Sequence, residues 1–419
     1  MRMLSNQKIR LALGFASLLV TGFASSYLYT QSKTQHLAQE QTTIENSTFA
    51  QSQISLVSNR ENTSSSGQKL AQAAKPYSVI DEAKKPKFNV NSNQVFSSGK
   101  LPGTKVNFNQ ADLLTTLSNT RKYFQDNASL DPNVQRPGLL GAEGVTVEDV
   151  LKTLDFMIVV LQEDIANNRP TRLQDSNFIN SNFRVIKWSA YNPEKTPQKR
   201  LRITKYAVFT HPGSKQKTST YNIPIYSLKD NLAADKFYTR YTKQDVLSGI
   251  YERGGKEFGK VEPIAYLTRK GLEEALLEGT LLVNFPDGSK SFFNVDRSNE
   301  MPYVRGLAGT AQKRYWYFRE VDAIKGYGYK IDAKISIKPG VTFAGDVLNI
   351  GLGKIIVLEY NYGGRKNLKM GIIADTGGAF LPNLHQLDFL AGIFKNKQDF
   401  GQSIQALPDY TNAYILVKK

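Results

Sequence analysis

The chain of 419 residues contains no cysteine. That absence excludes disulfides, thiol nucleophiles and cysteine-ligated zinc. Histidine is almost as scarce, with only His36, His211 and His385 present. That scarcity speaks almost as strongly against a histidine-rich metal site, and neither His211 nor His385 stands in the motif a Ser-His-Asp triad would need. Acidic residues are outnumbered: 37 Asp and Glu face 54 Lys and Arg, for a formal net charge of +17. A basic surface favours an acidic partner, whether nucleic acid, anionic lipid or an acidic cell-wall polymer. The remaining balance, 40% apolar and 22% charged, is that of an ordinary globular protein long enough for two or three domains.

Residues 1–24 read as an export signal or anchor. Arg2, Lys8 and Arg10 precede an apolar run from Leu11 to Val20, and Gly22-Phe23-Ala24 offers small residues where a signal peptidase cuts. Apolar and small residues continue through Leu28, so a membrane anchor within residues 1–30 stays open. Either way the rest is exported, periplasmic or associated with the cell envelope, and nucleic acid drops out as a partner. Residues 25–104 are rich in Gln, Ser, Thr, Asn and Lys without a sustained period, and predict a flexible tether. A short strand near Ser78-Val79-Ile80 is the alternative there.

A helical part spans 105–182. One helix is predicted near Asn109 to Phe124. A second begins with Thr146 as N-cap and Asp149 three residues on, and Val150, Leu151, Leu154, Ile158, Leu161 and Ile165 give it one broad apolar face. From about Phe183 the period changes to two, and residues 183–300 read as an inserted β-rich unit. Its signals are strands at 183–188 and 206–209, helices starting at Thr242 and near Thr268, and a hairpin turning at Pro286-Asp287-Gly288. The basic run from Lys195 to Lys205 is read as a solvated face. Residues 301–419 carry short strands separated by glycines, with 355–360, 368–374 and 413–417 the clearest, and suggest a small closed barrel. Lys313 to Arg319 alternates basic and aromatic residues, which suits either a sugar-stacking surface or a strand with one face buried.

One stretch has the letters of a reactive site: Ile372-Ile373-Ala374-Asp375-Thr376-Gly377-Gly378-Ala379, followed by Leu387-Asp388-Phe389. An apolar strand that delivers a carboxylate to a glycine turn partly desolvates it, and desolvation raises its pKa toward that of a general acid. The bland alternative is an aspartate capping its own turn.

These residues resemble the three-aspartate domain of the membrane-bound lytic murein transglycosylase A family. The resemblance rests on Asp332 to Gly340, Ala374 to Ala379 and Leu387 to Gly392. It extends backwards through Tyr221 to Tyr226, Phe237-Tyr238-Thr239-Arg240, and Pro263 to Leu267. It continues with Glu278-Gly279-Thr280, Asn299 to Tyr303 and Arg314 to Arg319, covering roughly 220–400 in the family's order. The resemblance implies a mainly β fold with an N-terminal helical part: a double-psi β-barrel with an additional inserted small β-domain. It implies a monomer that acts on peptidoglycan glycan strands without cofactor or metal. The reaction implied is non-hydrolytic cleavage of the MurNAc–GlcNAc bond, leaving a 1,6-anhydro end.

By the same resemblance Asp388 is the catalytic acid and Asp375 its supporting carboxylate. Tyr238, Arg240, Glu278, Gly279, Gly377 and Gly378 are the expected substrate contacts, and Asp332 is the best match to the first of the three aspartates. The chain departs from the family pattern at Glu278-Gly279-Thr280-Leu281, where the family has Gln-Gly-Ser-Gly, and at Phe380-Leu381-Pro382. Two rival readings remain at this level. One is a barrel that binds glycan without cleaving it. The other is an aspartic protease built from two copies of the Asp375-Thr376-Gly377 signature.

Overall fold

The computed structural model describes residues 76–81, 87–193, 198–304, 306–377 and 380–419. The predicted signal and most of the tether lie outside them. Within the predicted tether, residues 76–81 and 87–104 are already built into the fold. Strands β1 (Tyr77–Val79) and β2 (Phe88–Val90) form a hairpin, and β3 (Phe96–Ser98) joins the main sheet. Val79 and Val90 are buried in the principal core, which is why these short polar-flanked strands are ordered at all. A two-residue strand, β4 (Val106–Asn107), follows.

Both predicted helices form. Asn109 caps Gln110–Asn127 by accepting from Asp112 N. Thr146 and Asp149 make a reciprocal capping box at the start of Val147–Ala166. Val150, Leu154, Met157 and Leu161 of the second helix are buried against the barrel. Ser176–Asn182 then leads straight into β5 (Phe183–Trp188), which buries its apolar residues and exposes Arg184 and Lys187.

The remaining strands are β6 (Leu201–Pro212), β7 (Ile223–Leu228), β8 (Val261–Leu267), β9 (Thr280–Asn284), β10 (Lys290–Ser298), β11 (Trp316–Val321), β12 (Thr342–Ala344), β13 (Ile355–Tyr362), β14 (Arg365–Asp375), β15 (Gln386–Phe394) and β16 (Tyr410–Lys418). Six of them close a barrel in the order β6-β15-β12-β14-β13-β16, sealed by the pairing of β16 with β6. Two pairings in this ring are parallel, β6 with β15 and β12 with β14. This is the expected double-psi barrel with a smaller β-rich unit attached. Apolar residues from the barrel strands, β5 and the two long helices make one core.

A second core gathers Ile225, Phe237, Tyr238, Leu272, Phe293 and the aromatic run Tyr315 to Phe318. Of the two readings of Lys313–Arg319, the aromatic part is therefore a strand with buried rings. Strands β5 and β6, read from sequence as the start of the inserted unit, pair with β16 and β15 of the barrel. Strand β6 is long enough to do both jobs: Arg202 to Phe209 lie beside β15, and Thr210 to Pro212 lie beside β9. Among the described residues, no helix is long and apolar enough to cross a membrane.

Candidate active site

The two aspartates singled out by sequence come together through strand register. Ala344 on β12 pairs with Asp375 on one side and with Asp388 on the other, and Asp388 in turn pairs with Thr204 on β6. Asp375, Ala344, Asp388 and Thr204 thus form one row across four strands. On β6, Leu201 and Ile203 are fully buried while Arg202 and Thr204 are part-exposed, so the row lies on the barrel's outer side. Two strand spacings of about 4.8 Å put the aspartate backbones roughly 10 Å apart. The alanine methyl between them leaves the carboxyls room to approach.

Asp375 is rigidly held. Tyr206 donates its hydroxyl to Oδ2 at 2.7 Å, and the Thr376 amide donates to Oδ1 at 2.8 Å. The Thr376 hydroxyl bonds the Gly345 carbonyl, and Gly345 N bonds the Asp375 carbonyl. One residue back, the Ala374 carbonyl accepts from Tyr327 N. Gly326 passes so close that a Cβ there would stand 2.5 Å from that carbonyl. Glycine is required by this approach.

Asp388 is held loosely and kept dry. Only 9% of it is exposed. Among the described residues nothing hydrogen-bonds its Oδ1. Burial drives its pKa up to about 7; the Thr204 hydroxyl opposes the rise, the Asp375 charge adds to it, and Lys205 and Arg202 offset part. Burial also raises Asp375, but Tyr206, the Thr376 amide and Lys334 hold it back to about 6. The two carboxyls are thereby pushed apart, with Asp388 the better proton holder. Burial and both carboxylates keep the Tyr206 phenol far above its ordinary pKa, so it remains a donor.

Lys334 joins the site to the inserted unit. Its ammonium donates to Asn294 Oδ1 at 2.6 Å and to the Val295 carbonyl. Burial pulls its pKa down to about 8, with Asp375 and Asp296 opposing. Asn294 Nδ2 in turn donates to the Gly279 carbonyl at 2.8 Å. A polar chain therefore runs from the Gly279 turn through Asn294 to the cation beside Asp375.

The other expected site residues occupy varied places. Glu278 is buried and both its oxygens face His211 Nε2 at 3.1 Å. Burial alone would lower the His211 pKa, but Glu278 and Glu274 outweigh it and the pKa is raised. Tyr238 is buried in the second core, edge-on to Phe237 and Tyr317. Arg240 is exposed, with its Nε on the Phe237 carbonyl and Nη2 3.7 Å from Asp235. Gly377 is buried and its carbonyl accepts from Phe380 N, while Gly378 lies outside the described residues.

Asp332 is 65% exposed in its side chain and pairs with Arg319, which also binds Asp230 and Asp296. It contributes to an ionic cluster, not to the Asp375–Asp388 row. Tyr206, Thr204, Lys334, Asn294 and Ala344 did not stand out in the sequence. Tyr206 reads as one more strand aromatic, and only the non-local pairing of β6 with β15 brings it to Asp375. Among the described residues no group of three or more histidines and carboxylates could hold a metal ion.

The barrel and the β-rich unit attached to it match the fold of the lytic murein transglycosylases of the MltA type. The chain matches a membrane-bound lytic murein transglycosylase from Agrobacterium tumefaciens with a TM-score of 0.52 and 15% identity, over 77% of this chain and 98% of that one. It matches Escherichia coli MltA with bound chitohexaose with a TM-score of 0.51 and 16% identity, over 78% and 95%. At such identity the likeness is one of fold. No protein-family model matches the sequence, and neither does any curated protein.

Proposed function

We propose that the protein is a peptidoglycan lytic transglycosylase, exported to the cell envelope, that cleaves the β-1,4 bond between MurNAc and GlcNAc. The observation that carries this reading is the paired environment of Asp388 and Asp375: one carboxyl dry and open on one oxygen, the other bound by a phenol and an amide. Two solved structures of like fold add support, one named a lytic murein transglycosylase and the other carrying chitohexaose. The inserted unit is taken as the chain between Gly213 and Val321, so that a glycan strand would lie between it and the barrel row.

Hydrolysing glycosidases need two carboxyls because an outside nucleophile must be activated or supplied. In the reaction proposed here the sugar provides its own. Protonated Asp388 gives its proton to the glycosidic oxygen as the bond from that oxygen to C1 of MurNAc breaks. The 6-hydroxyl oxygen of the same MurNAc then bonds to C1, and its proton returns to Asp388. The acid is regenerated and no water is consumed. Asp375, anionic across Ala344, favours the positive charge that develops at C1. Lys334 and Tyr206 keep Asp375 in that state.

The test is mass spectrometry of sacculus digests. Wild type is expected to release muropeptides with 1,6-anhydro ends, and Asp388→Asn is expected to release none while keeping the wild-type circular dichroism. Reducing ends from the wild type would refute the transglycosylase reading. Tight sacculus binding without soluble product would establish the non-catalytic glycan-binding alternative.

A further inference from the structure

Near the start of β6 lies a polar cleft of about 260 Å³. Arg200, Glu359, Lys366 and Asn412 are in its lining, together with Tyr360 and Tyr410. The strand register connects it to the site. Arg200 stands one residue before β6, and Arg202 and Thr204 continue the alternation along the face that meets Gln386 and Asp388. Tyr410 pairs with Arg202, which closes the path from the row to the cleft.

The charged groups of the lining differ in how they are paired. Arg200 forms no ion pair with a carboxylate among the described residues, and its side chain is exposed. Glu359 is fixed by the Tyr414 hydroxyl at 2.6 Å and by Lys366 at 3.1 Å. Burial would raise its pKa, but these two partners bring it below the ordinary value, so it is an anion at neutral pH. With Glu359 already paired to Lys366, the charge left uncompensated in the lining is the Arg200 cation, and a cation beside an asparagine amide and tyrosine rings suits the carboxylate of a peptide better than a neutral sugar.

Reach decides which peptide. From Arg200 to Thr204 is four residues of extended chain, about 13 Å. Three peptide residues span about 10 Å when extended, and the lactyl ether that joins a murein stem to its sugar adds a few more. We infer that this cleft holds the stem peptide of a murein strand whose sugar lies at Asp388, with Arg200 taking a stem carboxylate. This inference rests on the function proposed above and adds to it a preference for peptide-bearing over stripped glycan.

The experiment uses the full chain carrying Asp388→Asn, so that strands are bound without being cut. Calorimetry compares glycan strands of equal length with and without a tripeptide stem ending in a diamino acid. The stem-bearing strand is expected to bind about 10-fold tighter, the scale of one charge-assisted hydrogen-bond pair. Adding Arg200→Glu, or Arg200→Gln as the milder change, should bring the ratio of the two affinities to about 1. A ratio near 1 with Arg200 intact overturns the inference, as does a ratio unchanged by Arg200→Glu. Equal weakening of both strands also overturns it, because the cleft would then hold sugar. If neither strand binds and the wild type yields no anhydro product, the proposed function itself falls, and the stem site with it.

Discussion

Replacing Asp388 by asparagine is expected to make the protein more stable at alkaline pH while abolishing its activity. A carboxyl whose folded pKa is raised from 3.8 to about 7 binds its proton more tightly folded than unfolded. Below about pH 4 both states hold the proton and the group costs nothing. As pH rises from 4 through 7, the unfolded state sheds its proton first, and folding is progressively penalised. Each pKa unit is worth about 1.4 kcal/mol, so three units set a ceiling of about 4 kcal/mol above pH 7. Coupling to Asp375 and Lys334 and relaxation of the buried site reduce that, and about 2 kcal/mol is the working figure.

Asparagine has the same shape and never ionises, so the variant escapes the penalty. By the scaling for domains above 150 residues, a gain of this size is about 4–8 °C in Tm. Calorimetric scans at pH 4 and pH 8 should show coincident melting at the lower pH and the variant melting higher at the upper. A variant that melts lower than wild type at pH 8, or a difference that does not change with pH, would refute the assignment of Asp388 as a carboxyl kept protonated by burial.

Three further outcomes follow from the same geometry. The pH profile of turnover should be bell-shaped, falling above about 7 as Asp388 loses its proton and below about 6 as Asp375 gains one, so a profile still rising at pH 9 would contradict the roles. Tyr206→Phe removes the donor to Asp375 Oδ2 and should move the acid limb upward in pH with a loss of about 10-fold in kcat/KM; an unmoved limb would show that the phenol does not hold Asp375 anionic. Gly326→Ala places a methyl against the Ala374 carbonyl and should cost about 1–3 kcal/mol by denaturant unfolding, whereas a neutral substitution would mean that this backbone yields freely.

What was legible in the sequence was local. The box at Thr146 announces its helix because the capping side chain and its partner Asp149 sit three residues apart. Strand 183–188 is marked by the change of period, 413–417 is an unbroken apolar run, and the hairpin of β9 and β10 is marked by its Pro-Asp-Gly turn. The acid pair was also legible, because Asp375 and Asp388 each follow an apolar strand residue within one short stretch.

What stayed hidden depends on pairings between residues 40, 67 and 169 positions apart. Nothing near Tyr206 signals that β15 will lie parallel to β6, so its phenol could not be assigned to a carboxylate 169 residues away. The same holds for Lys334 and Asn294, and for Glu278 and His211. Tyr238 misled in the other direction. Its Tyr-Thr-Arg setting suggests a groove, yet the neighbouring rings of Phe237 and Tyr317 make an edge-to-face cluster that is worth more buried.

Strand β6 belongs to both halves of the molecule, paired with β15 for most of its length and with β9 at its end. No loop interrupts β6 between Phe209 and Thr210, so the backbone that carries Thr204 beside Asp388 runs unbroken into the sheet of the inserted unit. One continuous strand therefore aligns the two halves, and a deletion within it would shift both registers at once.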